Sequence, residues 1–489
     1  MYFVDQIADL PNRKLIDDQH LKYEEWDRYY TGEIFEERSE VPPDSTEEPP
    51  LLYPLRINVT RMMCLIHAQA LLGQFVDRVI DWEVVPRNDT ALAKEEADFV
   101  LSVIDQVWSE SLRDQLFAEL ALTMMRYGGC VIKVAADPQR ISGVRVELVS
   151  PVHFFPRWHP TDTSTLIECW VQYYITAKDA ASLYGVQFPS MGDNDLVLYT
   201  ERWDSASYEV FVGGKRIPDF SGQNPYGFVP FVYIPRLRST GEFYGQSVIE
   251  DIMGLQDELN LRLADVGDRI NYTAHPVRWV RNYRGKKDVL YIAPDHFIDL
   301  GTSIGDQHDP EIGSLDAQPE PASTLNYIRF IWDLSRHSVM IPAVALGEDE
   351  GSQRSGLTLV LRMWPLVQSA KWTRVFLLSG LKQVNWMILG VRRVRDPIDG
   401  RFPSVQDVHL RVRDIIGRMA PILPRDRIDL INELNLMWGS DHPAISVEEI
   451  VRQLGYADDL DMEVERILRT WQLIKERGIG GQDPSGASG

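Results

Sequence analysis

The sequence predicts an α+β protein, with helices and a β layer in separate stretches, organised around one long helix near the middle of the chain. Three observations carry this prediction. From Phe243 to His275, apolar residues recur at Val248, Ile252, Leu255, Leu259, Leu263, Val266 and Ile270. These steps of three and four residues hold one helical face, while Glu250, Asp251, Asp257, Glu258, Arg262, Asp265, Asp268 and Arg269 occupy the remaining surface. From Cys130 to Tyr233 the pattern turns to alternation of β-branched and aromatic residues, the texture of strands. From Leu357 to about Arg395 a second long helical stretch carries Pro365 inside it. That proline offers no N–H to the Leu361 carbonyl, so a kink is expected there.

Composition bounds the possibilities. The 489 residues are 44% hydrophobic and 25% charged, enough for two to four folded domains with a sizeable core. Seventy-two acidic residues against 50 basic ones leave a net charge of −22. Tight, general nucleic-acid binding needs the opposite sign, whereas like-charge repulsion favours weak, sliding contact. Three scattered cysteines, Cys64, Cys130 and Cys169, form neither a CxxC pair nor a disulfide framework, which points to a reducing compartment. The N-terminus lacks the basic start and apolar run of a signal peptide. The most apolar long segment, Val375 to Val391, contains Lys382, Gln383 and Asn385, so no membrane span is expected.

Taken in order, residues 1–32 read as one or two short helices with Leu21, Tyr23, Trp26, Tyr29 and Tyr30 on one face. The acidic, proline-rich run 33–50 reads as an exposed linker. Residues 58–75 read as a helix with Met62, Leu65, Ile66, Ala70 and Leu72 inward and His67 without a ligand role. A helical stretch over 89–127 breaks near Ser109 to Leu112 and stops at Gly128-Gly129. The β layer follows as CVIKVAAD, GVRVELVS, ECWVQYYIT, DLVLYTERWD and YEVFVGG, with turns at Gly213-Gly214 and 224–227.

On the central helix, Ser247 with Glu250 three residues on forms a capping-box pattern, and Pro276 closes the segment. A helix over 246–275 would be roughly 45 Å long at about 1.5 Å per residue. Residues 276–320 read as a small β-like insertion bearing the densest basic cluster of the chain: Arg278, Arg281, Arg284, Lys286 and Lys287. That cluster is either a solvated hairpin or a surface for an acidic partner or DNA phosphates. A helix over about 322–340 follows, with Leu325, Ile328, Ile331, Trp332 and Val339 apolar and Ser323 or Thr324 as its cap. Residues 341–356 form a loop punctuated by Gly347, Gly351 and Gly356 and bearing Glu348, Asp349, Glu350, Gln353 and Arg354. After the kinked helix, VQDVHLRVR reads as a strand, and the chain ends in helices near 428–434, 444–456 and 458–476.

Catalytic signals are sparse. GTSIG at 301–305 matches a nucleophile-elbow pattern, but no helix start follows Ser303, so the match is treated as chance. No GxxxxGK[ST], HExxH or GxGxxG occurs, and His153 and His159 lack a metal-ligand spacing. The carboxylates of the central helix lack a positioned partner base. Neither an enzyme nor a cofactor or metal site is expected.

The order of these elements resembles the portal (head-to-tail connector) proteins of tailed bacteriophages. FYGQSVIEDIMGLQDELNLRLADVGDRINYTAHP is similar to the segment that enters and forms the family's first stem helix. SRHSVMIPAVALGEDEGSQRSGLTLVLRMWPLVQSAK is similar to the end of the second stem helix, the tunnel loop and the kinked helix after it. AISVEEIVRQLGYADDLDMEVERI resembles the C-terminal region near the crown, and RYYTGE is a fainter echo. The resemblance implies a ring, generally of twelve subunits, around a DNA channel at one capsid vertex of the virion, assembled in the host cytoplasm. It implies N-terminal helices and linker over 1–56, a wing over 57–243 and stem helices over 244–275 and 321–340. It further implies a clip over 276–320, a tunnel loop over 341–356, a wing return over 357–424 and a crown over 425–489. Implied partners are the terminase packaging motor, head-completion adaptor and tail proteins, capsid and scaffolding proteins, and passing double-stranded DNA held weakly. A long apolar seam suits such a ring, because closing heterologous contacts give it neighbours. An intracellular helical scaffold without a DNA channel is the alternative.

Overall fold

A computed structural model describes residues 12–34, 56–74, 78–274, 277–281, 311–315, 322–348, 356–395 and 412–423, with residue 450 and residues 466–469. Helix α1 (Arg13–Thr31) ends on Gly32, whose φ of 90° closes the last turn in the left-handed region. Tyr23, Trp26, Tyr29 and Tyr30 are buried, as the sequence predicts, but Leu21 points to solvent with 64% of its surface exposed. Helix α2 (Val59–Leu72) is capped by Asn58, whose side chain accepts from the Arg61 amide at 2.8 Å. Its inward face is Met63, Cys64, His67, Ala68 and Leu71, so the expected set is corrected: Leu65 is exposed and Met62, Ile66, Ala70 and Leu72 are half-buried. Two polar residues, Thr60 and His67, are buried on that face as well.

The break predicted near Ser109 is present between α3 (Ala91–Glu110) and α4 (Arg113–Tyr127), where Leu112 takes a φ of 52°. Gly128 then turns the chain with φ 71°. A Cβ on Gly128 would lie 2.3 Å from the Gly245 carbonyl oxygen, so this crossing of two backbones requires glycine on both sides.

Among the described residues all strand pairings are antiparallel. Strands β2 (Gly129–Ala136) and β3 (Val144–Val149) form a three-stranded sheet with β10 (Phe231–Pro235) in the order β10-β2-β3. Strands β4 (Phe154–Trp158), β5 (Leu166–Thr176), β6 (Leu196–Asp204), β7 (Ser207–Val212) and β8 (Lys215–Arg216) form a second sheet in sequence order. Short β9 (Gly222–Gln223) pairs with β7. Helix α5 (Ala177–Tyr184) covers one end of that sheet. The mixed α/β architecture has its main core between α1–α4, the three-stranded sheet and the later helices. A buried polar bond crosses it, from Trp108 Nε1 to Asn385 Oδ1 at 2.8 Å.

The sequence reading did not single out β4, β10 or one long-range strand pair. Strand β13 (Val412–Met419) begins with the last two residues of the expected strand VQDVHLRVR, whose other residues, 405–411, lie outside the described residues. It pairs with β1 (Ile80–Pro86), which closes the chain's later part onto its beginning. Arg374 reinforces that closure: Nε donates to the Leu71 carbonyl at 2.9 Å and Nη1 to the Ala420 carbonyl at 2.7 Å.

Candidate functional site

The candidate site is the central helix pair with its strand connection and the loop that follows. Helix α6 spans Met253–Ala274, 22 residues and about 33 Å at about 1.5 Å per residue. The expected start at 246 is corrected, and Ser247 is not its cap. Ser247 Oγ instead donates to the Arg126 carbonyl at 2.7 Å and accepts from the Ile249 amide at 3.0 Å. The stretch before α6 is therefore pinned to the end of α4. Val248 and Ile252 lie in that stretch, buried in the main core and off the helix.

Three residues of α6 tie its base to the body. Gln256, with 1% of its surface exposed, accepts from the Val59 and Thr60 amides at 2.8 and 3.2 Å and donates to the Ile57 carbonyl at 2.8 Å. It thereby satisfies the first N–H groups of α2, which no intrahelical carbonyl can reach. Asn260 Oδ1 accepts from the Ile57 amide at 3.0 Å, and Asp257 accepts from the Tyr29 hydroxyl at 2.8 Å. The apolar seam then thins along the helix. Leu259 is buried, Leu255, Leu263 and Val266 are half-buried, and Ile270 is 58% exposed.

Beyond α6, β11 (Val277–Arg281) pairs with β12 (Glu311–Leu315), placing Arg278 opposite Ser314 and Arg281 opposite Glu311. Arg284, Lys286, Lys287 and Ser303 lie outside the described residues. Helix α7 (Ala322–Ser338) returns beside α6. Ser323 and Thr324 sit inside it, which corrects their expected capping role, and it stops short of 340, where Met340 takes a φ of 59°. Ile331 and Val339 are buried, while Leu325, Tyr327, Phe330 and Leu334 are exposed. The Tyr327 hydroxyl donates to Glu258 at 3.3 Å across the pair, and Arg262 bridges Glu258 and Asp265, each at 2.8 Å.

His67 holds the end of α7, one ring nitrogen lying 2.7 Å from the Val339 carbonyl oxygen. Burial drives its pKa down to about 3. The ring is therefore neutral at physiological pH, and the 2.7 Å contact makes the bonded nitrogen the N–H donor.

The loop after α7 begins with a 3₁₀ turn (Ala343–Leu346) closed by Gly347 at φ 75°. Glu348 does not hang free from it. Its carboxylate accepts from Trp332 Nε1 at 3.2 Å and lies 3.8 Å from the Arg336 guanidinium, which also pairs with Asp333. Asp349, Glu350, Gln353 and Arg354 lie outside the described residues. Helix α8 (Gly356–Arg395) follows with Pro365 inside it, at the position the sequence indicated. The C-terminal region expected as a crown, 425–489, lies almost wholly outside the described residues, though 466–469 are helical.

Among the described residues no three His, Cys, Asp or Glu side chains are grouped to hold a metal ion. None of the described helices is long and apolar enough to cross a membrane. All three cysteines are free and buried, and burial pushes the Cys64 thiol up to about 12.

Two helices thus lead to and from a strand pair, and several of their apolar side chains are exposed among the described residues. The comparisons identify the class. Residues 14–472 match the family model described as phage portal protein, SPP1 Gp6-like, and the chain belongs to that family. It is a portal protein, and the family is structural. No curated protein matches the sequence. Among solved structures, one chain of the "Neck of empty GTA particle computed with C6 symmetry" is similar at 13% identity and a TM-score of 0.41. The match covers 82% of this chain and 90% of that one.

Proposed function

We propose that copies of this chain close into a ring at one capsid vertex, in the virion, and that double-stranded DNA enters and leaves through its central channel. The observation that carries this reading is the family match over residues 14–472. In it, α6 and α7 are the stem, residues 276–320 the clip, 341–356 the tunnel loop and 425–489 the crown. The rest of the body forms the wing. The exposed Ile270, Leu325, Tyr327 and Phe330 support the stem assignment, since a single chain leaves them uncovered and neighbouring copies would cover them. The ring is a dodecamer assembled in the host cytoplasm with capsid and scaffolding proteins.

The clip, with Arg278, Arg281, Arg284, Lys286 and Lys287, meets the terminase motor during packaging and the head-completion adaptor and tail proteins afterwards. Asp349, Glu350, Gln353 and Arg354 line the channel's narrowest part, and Glu348 anchors the loop's base to α7 through Trp332. Acidic walls repel phosphate at short range and leave the duplex unstuck, and this repulsion is screened beyond about 8–10 Å. No catalytic step, cofactor or metal belongs to this role. The test is reversal of Asp349 and Glu350 to lysine, with the anchoring Glu348 left in place. Rings should still form, and DNA packaging should slow or stall at low salt and recover as salt rises. Unchanged packaging at low salt would remove the channel-lining assignment.

A further inference from the structure

Between the end of β10, the stretch that enters α6, the end of α7 and the middle of α8 lies an open cleft of about 360 Å³. Arg236 lies on its lining and is only 5% exposed. A guanidinium carries five N–H donors and stays charged. Here Nη1 donates to the Gln246 carbonyl at 3.1 Å, while Nε meets no acceptor among the described residues. Asp251, on the same cleft, acts on it only through space. Burial lowers the arginine's pKa, as expected of a cation short of partners. An incompletely compensated buried cation is costly to the isolated chain. A charge held at that cost on an open cleft is placed to receive an anion.

The rim describes the anion's carrier. Met340 and Trp372 flank the opening, and Trp372 is 64% exposed. Along α8, Leu361, Trp364 and Val375 continue the same exposed apolar strip at helical spacing. A free phosphate or carboxylate has no use for such a strip, whereas a protein surface bearing a carboxylate among apolar side chains would cover it. A second copy of this chain offers carboxylates in abundance, with 72 acidic residues against 50 basic ones.

We propose that the Arg236 cleft is a socket for a carboxylate side chain of a second copy of this chain, with Trp372 and Met340 sealing its rim. The inference rests on the ring reading above and deepens it by naming one half of the contact between copies. The two halves differ, as a closed ring requires.

The test compares the wild-type full chain with Arg236→Met and Trp372→Ser. Wild-type assembly is measured first, by mass photometry and negative-stain imaging, because its failure would count against the ring reading itself. With wild-type rings present, Arg236→Met should leave the monomer's melting temperature unchanged or raised while cutting ring population at least tenfold. Trp372→Ser, at an exposed site, should fold normally and cut it severalfold. Two results would overturn the socket. One is normal rings from both variants. The other is a monomer that melts earlier with Arg236→Met while its rings persist, which makes Arg236 a structural residue only. Monomer melts with added acetate or phosphate complete the test. Stabilisation by the free anion that Arg236→Met abolishes, with ring assembly unaffected, would assign the cleft to a small anion and also overturn the socket.

Discussion

Gln256→Ala tests whether the base of the central helix is fastened to the body as the geometry requires. Gln256 is almost fully buried and satisfies the Val59 and Thr60 amides and the Ile57 carbonyl. Truncation leaves two buried first-turn N–H groups and one part-buried carbonyl without this partner. At about 1 kcal/mol or more for each unmet group, the local cost is about 3 kcal/mol. Since about 1.4 kcal/mol corresponds to a tenfold change, exchange of the Val59 and Thr60 amides should accelerate on the order of 100-fold. Hydrogen–deuterium exchange on peptides spanning 56–62 reads this directly. Amides of the β5–β6 pair, elsewhere in the fold, serve as the control and should not change. Unaltered protection at 59 and 60 would refute the capping role and detach α6 from α2 in this description.

Two further predictions follow from the same region. Ile270→Asp changes a side chain that is 58% exposed, so the monomer's stability should shift by less than about 0.5 kcal/mol while ring formation fails. Intact rings would show that the outer seam of α6 faces solvent in the assembly. His67 gives a pH signature: its folded pKa is depressed to about 3 from an ordinary 6.5. Between those values the unfolded chain binds the proton and the folded chain does not. Stability should therefore fall as pH drops through this window, by at most about 1.4 kcal/mol per pH unit for this one group. His67→Gln should flatten the slope of stability against pH below 6.5, and an unchanged slope would contradict the buried neutral ring.

Much of the fold is legible in the sequence because its periodicities are strong. The break between α3 and α4, five of the six strands from 129 to 212 (all but β4) and the proline inside α8 stand where local pattern places them. Local pattern fails where distant residues decide. Ser247 and Glu250 look like a capping box, but the carbonyls at the end of α4 engage the Ser247 hydroxyl and hold the chain out of helix until Met253. The β1–β13 pair joins segments more than 300 residues apart, and β1 ends in a proline that reads as a loop signal.

The candidate site shows the same division. The helix pair and the loop's place between α7 and α8 are visible as patterns of hydrophobicity and glycine. That Gln256 caps another helix, that Glu348 is held by Trp332, and that Arg236 sits buried beside a cleft are tertiary facts. No spacing in the sequence announces them. For Arg236 the nearest signal is only a charged residue directly after a buried strand, in YIPRLR.

The most direct measurement is a reconstruction of the purified, assembled protein by electron microscopy. A closed ring should appear, with a central opening and with α6 and α7 of each copy packed against those of its neighbours. A particle whose exposed α6 and α7 faces remain in solvent, with no circular assembly in the mature virion, would contradict it.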